Sequence, residues 1–139
     1  MDDDQPPIDV LAEANHAALL RFQGRFPGAL VDDQTTHLRV WTGLASGFFN
    51  AVARARWSKG IAPAAVRAIA ADLSGRRAPW RWYVGSAGGS EELGRLLKSV
   101  GLMPVPAQTP MLLPLTSHVL PRLWLLYTSD AADDHPCVA

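Results

Sequence analysis

The chain has 139 residues, 48% hydrophobic and 19% charged, which is the length of a single domain with enough apolar content for one ordinary core. Thirteen basic and thirteen acidic residues cancel overall, yet all the bases and only five acids (Asp32, Asp33, Asp72, Glu91 and Glu92) lie between Arg21 and Arg122, which suits an anionic ligand or an ordinary arginine-rich surface. Cys137 is the only cysteine, so a disulfide framework and a cysteine metal cluster within the chain are both excluded.

The opening MDDDQPP lacks the basic start and apolar run of a secretory signal, and it reads as an acidic, disordered stretch over residues 1–7. A reducing, cytoplasmic setting is expected. From Ile8 to Phe22, Leu11, Ala14, Ala18, Leu19 and Phe22 recur at helical spacing, with Asp9 placed to cap and His16 on the exposed side. Gly24, Pro27 and Gly28 end that helix. QTTHLRVWTG, residues 34–43, alternates Thr36, Leu38, Val40 and Thr42 against Thr35, His37, Arg39 and Trp41, as a strand does. A second strand is expected from Phe48 to Trp57, with Phe49, Ala51, Ala53, Ala55 and Trp57 on one face and Asn50, Val52, Arg54 and Arg56 on the other.

Pro63 suits a first helical position, and Val66, Ile69, Ala70 and Leu73 follow as one stripe until Gly75. WRWYV, residues 80–84, alternates again and predicts a third strand. Ser90 can cap a helix whose Glu91 and Glu92 favour its positive end, with Leu93, Leu96, Leu97 and Val100 as the stripe and Gly101 as the stop. MLLPL, residues 111–115, is the expected fourth strand. The longer run MLLPLTSHVLPRLWLLY is broken by Pro114, His118, Pro121 and Arg122, short of the roughly 20 apolar residues of a spanning helix. No membrane partner is expected. The fold class is α/β: a mixed, largely antiparallel sheet of about four strands with three helices.

The glycine-rich turn GSAGGS, residues 85–90, has the ingredients of a phosphate cradle, but it lacks the Lys-Ser/Thr pair of a P-loop and does not match GxGxxG. It reads as a structural turn. RRAPWRWY, residues 76–83, interleaves bases with aromatics as single-stranded nucleic-acid surfaces do, but strand alternation sends Trp80 and Trp82 to one face and Arg81 to the other. Core tryptophans are the favoured reading, so nucleic acid is not the expected partner. His37, beside Arg39, could face a cleft or serve as a hydrogen-bonded surface residue. No histidines or carboxylates stand at metal-ligand spacing, and no metal is expected.

As an ordered set, four stretches resemble the amino-terminal half of two-part N-acetyltransferases of the GNAT superfamily. They are a strand pair leading into FFNAVARARW, the aromatic strand and turn WYVGSAGGSEELG, LLKSVGLMPV closing on Gly-Leu, and TPMLLPL. The resemblance spans about Phe26 to Leu115, and it departs from the family pattern at Pro110-Met111, where a glycine is usual between the two, and at Pro114, where an aspartate is usual. It implies that acetyl-CoA, the cofactor of the full-length parent, is held by a carboxy-terminal half through an Arg/Gln-x-x-Gly-x-Gly/Ala helix start. This chain has no such match, so no cofactor is assigned to it. The implied role is an acceptor-side, non-catalytic half, inactive alone, with the missing half as partner and a small-molecule or peptide amine as acceptor. Asn50 and Trp82 are the positions expected near the cleft between the halves.

LLYTSDAADD, residues 125–134, resembles the in-frame translation of a transposase-type sequencing-library adapter, as carried by some assembled metagenomic genes. Residues 8–123 are therefore expected to be the GNAT-like half-domain, and 124–139 a non-native or disordered tail. The alternative function is a free-standing binding module for an anionic ligand or single-stranded nucleic acid, separable by salt-dependent binding.

Overall fold

The computed structural model of the chain describes residues 6–57, 60, 62–85 and 90–106. The expected strand at 111–115, the turn residues 86–89 and the segment 124–139 lie outside the described residues. Along the chain run α1 (Ile8–Gln23), β1 (Leu30–Asp33), β2 (Leu38–Trp41), β3 (Asn50–Ala53), α2 (Pro63–Gly75), β4 (Arg81–Trp82) and α3 (Ser90–Ser99). The class is α/β, as expected, with three helices and a four-stranded mixed sheet.

The sheet order is β1-β2-β3-β4. β1 pairs antiparallel with β2, in a register that sets Asp32 opposite Arg39, and β2 pairs antiparallel with β3. β4 lies parallel to β3, with Val52 beside Trp82, because the connection between them runs through a whole helix, α2. β3 is central and buried along its full length.

Strand alternation divides the core between the two faces of the sheet. Leu38, Val40, Ala51 and Ala53 meet Ala17 and Leu20 of α1 on one face. Trp41 and Val52 meet Ile69 and Leu73 of α2 on the other, where Trp80 and Trp82 pack at the margin. A third cluster joins α2 to α3 through Val66, Leu93 and Leu97. The α2 stripe of Val66, Ile69, Ala70 and Leu73 is buried as the spacing predicts, and Pro63 opens the helix. α3 closes at Gly101, whose φ of 93° suits a residue without a Cβ, and the Leu102 N–H donates back to the Leu97 carbonyl.

Three expectations need correction. β1 replaces a stretch with no predicted element, because LVDD carries two aspartates, a residue type depleted in strands. Here the strand geometry itself uses them. Asp32 and Asp33 point to opposite faces, Asp32 toward Arg39 and Asp33 toward Arg21 of α1 and Arg54.

The second strand ends at Ala53, four residues before the expected Trp57. Arg54 adopts φ 55°, a left-handed conformation that breaks the two-residue alternation. Ala55 and Trp57 consequently pack on the α2 and α3 cluster, away from the face of Ala51 and Ala53. The Arg56 N–H then bonds to the Thr36 carbonyl at 2.6 Å, fixing the new direction.

On α1 the buried residues are Ala17, Leu20 and Gln23, while Ala14, Ala18, Leu19 and Phe22 are exposed. His16, expected outside, is packed on Tyr83. The helix presents its more polar side to the sheet because Arg56 and Tyr83 supply partners there for Glu13 and His16. Its N-cap is Pro7, and Asp9 lies in the first turn, where its carboxylate accepts from the Val10 N–H.

Candidate functional site

Parallel strands place their carboxyl ends together, and in open α/β sheets the region beyond those ends is where ligands bind. Beyond β3 the chain continues as Arg54 to Trp57, and beyond β4 as Tyr83 to Gly85. α1 passes alongside both. Its Glu13 carboxylate is paired with Arg56, and its His16 ring lies 3.8 Å from the Tyr83 ring, tilted by 50°. A Cβ added at Gly85 would stand 3.7 Å from the Glu13 carboxylate, an ordinary contact distance, so the turn after β4 runs beside that carboxylate.

The Glu13 side chain is only 18% exposed, whereas Arg56 is 51% exposed. Burial pushes the His16 pKa below its ordinary value of 6.5, so the imidazole is neutral near pH 7 and able to accept a proton. The cluster therefore joins a carboxylate that already holds one cation, Arg56, to a neutral base beside an aromatic ring. The sequence reading did not single out Glu13, and it took Arg56 as a strand residue, Tyr83 as part of RRAPWRWY and Gly85 as part of a structural turn. The one signal available was the i, i+3 spacing of Glu13 and His16, which sets them on one helix face.

Asn50 and Trp82 stand on the same side of the sheet but not in an open cleft. Asn50 is fully buried at the start of β3. Its Oδ1 accepts from the N–H groups of Thr42 and Gly43 at 3.0 and 3.1 Å, and its amide nitrogen donates to the carbonyls of Leu44 at 2.7 Å and Pro79 at 2.9 Å. Those bonds clamp the β2–β3 loop to the segment that leads into β4. Trp82 packs between the α2 cluster and the α3 cluster, with its ring 6.4 Å from that of Trp80, and its indole N–H is buried without a partner. Neither side chain presents a free polar atom to solvent.

The basic middle of the chain is partly neutralised where it folds. Arg21 and Arg54 share Asp33, each at 2.7 Å, and Arg39 bridges Asp32 and Asp72. Arg76 joins Asp72 and lies 5.6 Å over the Trp41 ring. His37 is engaged at both nitrogens, by Asp32 at 3.2 Å and Thr36 at 3.1 Å. Hydrogen bonding, led by Gln34 for Asp32 and by Arg21 for Asp33, holds both carboxyls below their ordinary pKa of 3.8. In RRAPWRWY, Trp80 and Trp82 pack on the α2 side, while Arg81 is exposed and lies against Gly47.

Among the described residues, no helix is long and apolar enough to cross a membrane, and no three His, Cys, Asp or Glu side chains are grouped as metal ligands. Comparison of the chain with protein-family models, with curated proteins and with solved structures finds no match.

Proposed function

We propose that the chain is the acceptor-side half of a two-part N-acetyltransferase of the GNAT superfamily, inactive alone and completed by a carboxy-terminal half that holds acetyl-CoA. The observation that carries this reading is the order and pairing of the elements that bear the quoted motifs. An antiparallel strand pair, β1 and β2, leads into FFNAVARARW; α2 follows; the aromatic strand β4 lies parallel to β3; and α3 closes on Gly101-Leu102. The segment TPMLLPL lies outside the described residues and adds nothing to this support.

The coenzyme does not fit the two helix starts of this chain that have a described cap. In the first turn of α1 the Asp9 carboxylate already accepts from the Val10 N–H and would repel an anion, and in α2 Pro63 removes one of the first-turn N–H donors that a pyrophosphate would use. No step is assigned to it here. The chain's own contribution is at the carboxyl ends of β3 and β4. There the Glu13 carboxylate, exchanging its Arg56 partner, would hold the ammonium form of an acceptor, and neutral His16 would take the proton that the amine must lose before it can attack a thioester.

The test is to recover the coding sequence downstream of codon 123 and assay the two halves separately and together, with acetyl-CoA and a panel of primary amines. Acetylation by the pair alone, with KM for the amine raised by Glu13→Gln, supports the proposal. Micromolar binding of acetyl-CoA by the isolated chain in calorimetry, or no transfer to any amine by the pair, would overturn it. The five arginines already paired with acids weigh against a nucleic-acid module. Salt-sensitive binding of single-stranded DNA would restore that alternative.

A further inference from the structure

Among the ion pairs of the described residues, Glu13 with Arg56 joins the least exposed carboxylate to the most exposed guanidinium. The Glu13 side chain is 18% exposed, where Asp32, Asp33 and Asp72 are 31%, 36% and 40%; Arg56 is 51% exposed, where Arg21, Arg39, Arg54 and Arg76 lie between 26% and 45%. The other pairs are also tied into larger groups. Asp33 takes Arg21 and Arg54 together, Arg54 donates to the Gln34 carbonyl as well, Arg39 spans Asp32 and Asp72, and Arg76 joins Asp72 while lying over the Trp41 ring. Among the described residues, the side chains of Glu13 and Arg56 bond only to each other.

The two partners are held in different ways. Glu13 is set on α1, one turn before His16, with the turn after β4 passing beside its carboxylate at Gly85. Arg56 is anchored through its backbone, whose N–H donates to the Thr36 carbonyl at 2.6 Å. Its long side chain can therefore swing off the carboxylate by rotamer changes while the chain stays in place. A guanidinium already half in water gives up little on leaving, since an ion pair open to solvent is weak.

We infer that Arg56 is a built-in competitor for the acceptor: its guanidinium occupies the Glu13 carboxylate in the unliganded chain, and the ammonium group of a ligand binds by displacing it. This exchange rests on Glu13 being the acceptor's ammonium subsite, as proposed above, and adds that the chain supplies that subsite's resting occupant. One cation leaves the carboxylate as another arrives, and no proton moves. The exchange also selects the ligand class. An alkylammonium replaces the guanidinium charge for charge, whereas a neutral alcohol of the same length would leave a shielded carboxylate without its counter-ion and does not compete.

The test is a titration of the full chain with n-butylammonium chloride at ionic strength held constant with sodium chloride, followed by the amide resonance of Gly85, with thermal unfolding confirming the fold of each variant. Arg56→Gln is expected to bind about threefold to fivefold more tightly than the unaltered chain, the factor that corresponds to releasing one partly solvated ion pair. Arg56→Lys keeps the cation and should stay close to the unaltered chain. Glu13→Gln, alone or combined with Arg56→Gln, should abolish binding, and n-butanol should bind none of the four. Equal or weaker binding by Arg56→Gln, with Glu13→Gln still defective, overturns the competitor while leaving the ammonium subsite standing. No binding by any variant, or binding that survives Glu13→Gln, removes the subsite and the competitor together.

Discussion

Replacing Asn50 by alanine is expected to lower the stability of the fold by about 3 kcal/mol. The side chain is fully buried and joins three separate pieces of backbone: Thr42 and Gly43 after β2, Leu44 and Ser46 in the loop, and Pro79 before β4. Four of its bonds to backbone are 3.1 Å or shorter. A typical bond contributes about 1 kcal/mol net, and a buried group left without a partner costs about 1–3 kcal/mol. Water can reach part of this loop, since Leu44 and Phe48 are exposed, so about three effective losses is a fair count. In a chain of 139 residues that corresponds to a fall in Tm of about 10 °C.

Two controls separate the clamp from mere burial. Thr42→Val removes one hydroxyl that donates to Asn50 at 3.3 Å and accepts from Leu44 at 3.2 Å, and should cost only about 1 kcal/mol. Asn50→Asp keeps the accepting oxygen but turns a second oxygen toward the Leu44 and Pro79 carbonyls, so at neutral pH it should be no better than alanine. Urea unfolding followed by tryptophan fluorescence measures all three. A loss below about 1 kcal/mol for Asn50→Ala would refute the reasoning, and would free Asn50 for the cleft role that the family resemblance suggests.

Because burial lowers the His16 pKa, the unfolded chain binds more protons than the folded one below the ordinary value of 6.5; stability should therefore fall as pH drops through 6.5, and His16→Phe should flatten that slope in urea titrations at pH 7.5 and 5.5. Asp32 and Asp33 have the usual carboxylate behaviour, giving stability that is present above pH 3.8 and lost as pH falls through that value toward their lower folded pKa values. Asp33→Asn should cost no more than about 1 kcal/mol, since solvent screens the pairs with Arg21 and Arg54, and the loss should shrink in high salt. Deleting residues 124–139 should leave Tm unchanged within error, whereas a fall of several degrees would mark that segment as native.

Local chemistry was most legible where one residue type can do only one thing. Pro63 at a helix start, the stripe Val66, Ile69, Ala70 and Leu73, and Gly101 at positive φ are all dictated by sterics or by a single periodicity. The division of β2 into a Leu38 and Val40 face and an Arg39 and Trp41 face follows from the two-residue repeat alone. β1 was illegible because its stabilisation is not local. Asp32 and Asp33 are poor strand formers, and the arginines and histidine that offset this come from α1, the residue before β2, β2 itself and the residue after β3. The early end of β3 was hidden for the same reason, since nothing in FFNAVARARW announces the left-handed turn at Arg54.

The α1 helix shows why the candidate site was missed along with the face. Apolar periodicity identifies a stripe that avoids water, but it does not say which surface covers it. On α1 two stripes compete: the strongly apolar Ile8, Leu11, Ala18, Leu19 and Phe22, and the mixed Glu13, His16, Ala17, Leu20 and Gln23. Counting hydrophobic side chains selects the first. The sheet selects the second, because Ala51 and Ala53 leave room for a close helix contact at Ala17 and Leu20, while Arg56 and Tyr83 give Glu13 and His16 partners at the rim. The half-buried Glu13 and His16 cluster follows from that one choice of face.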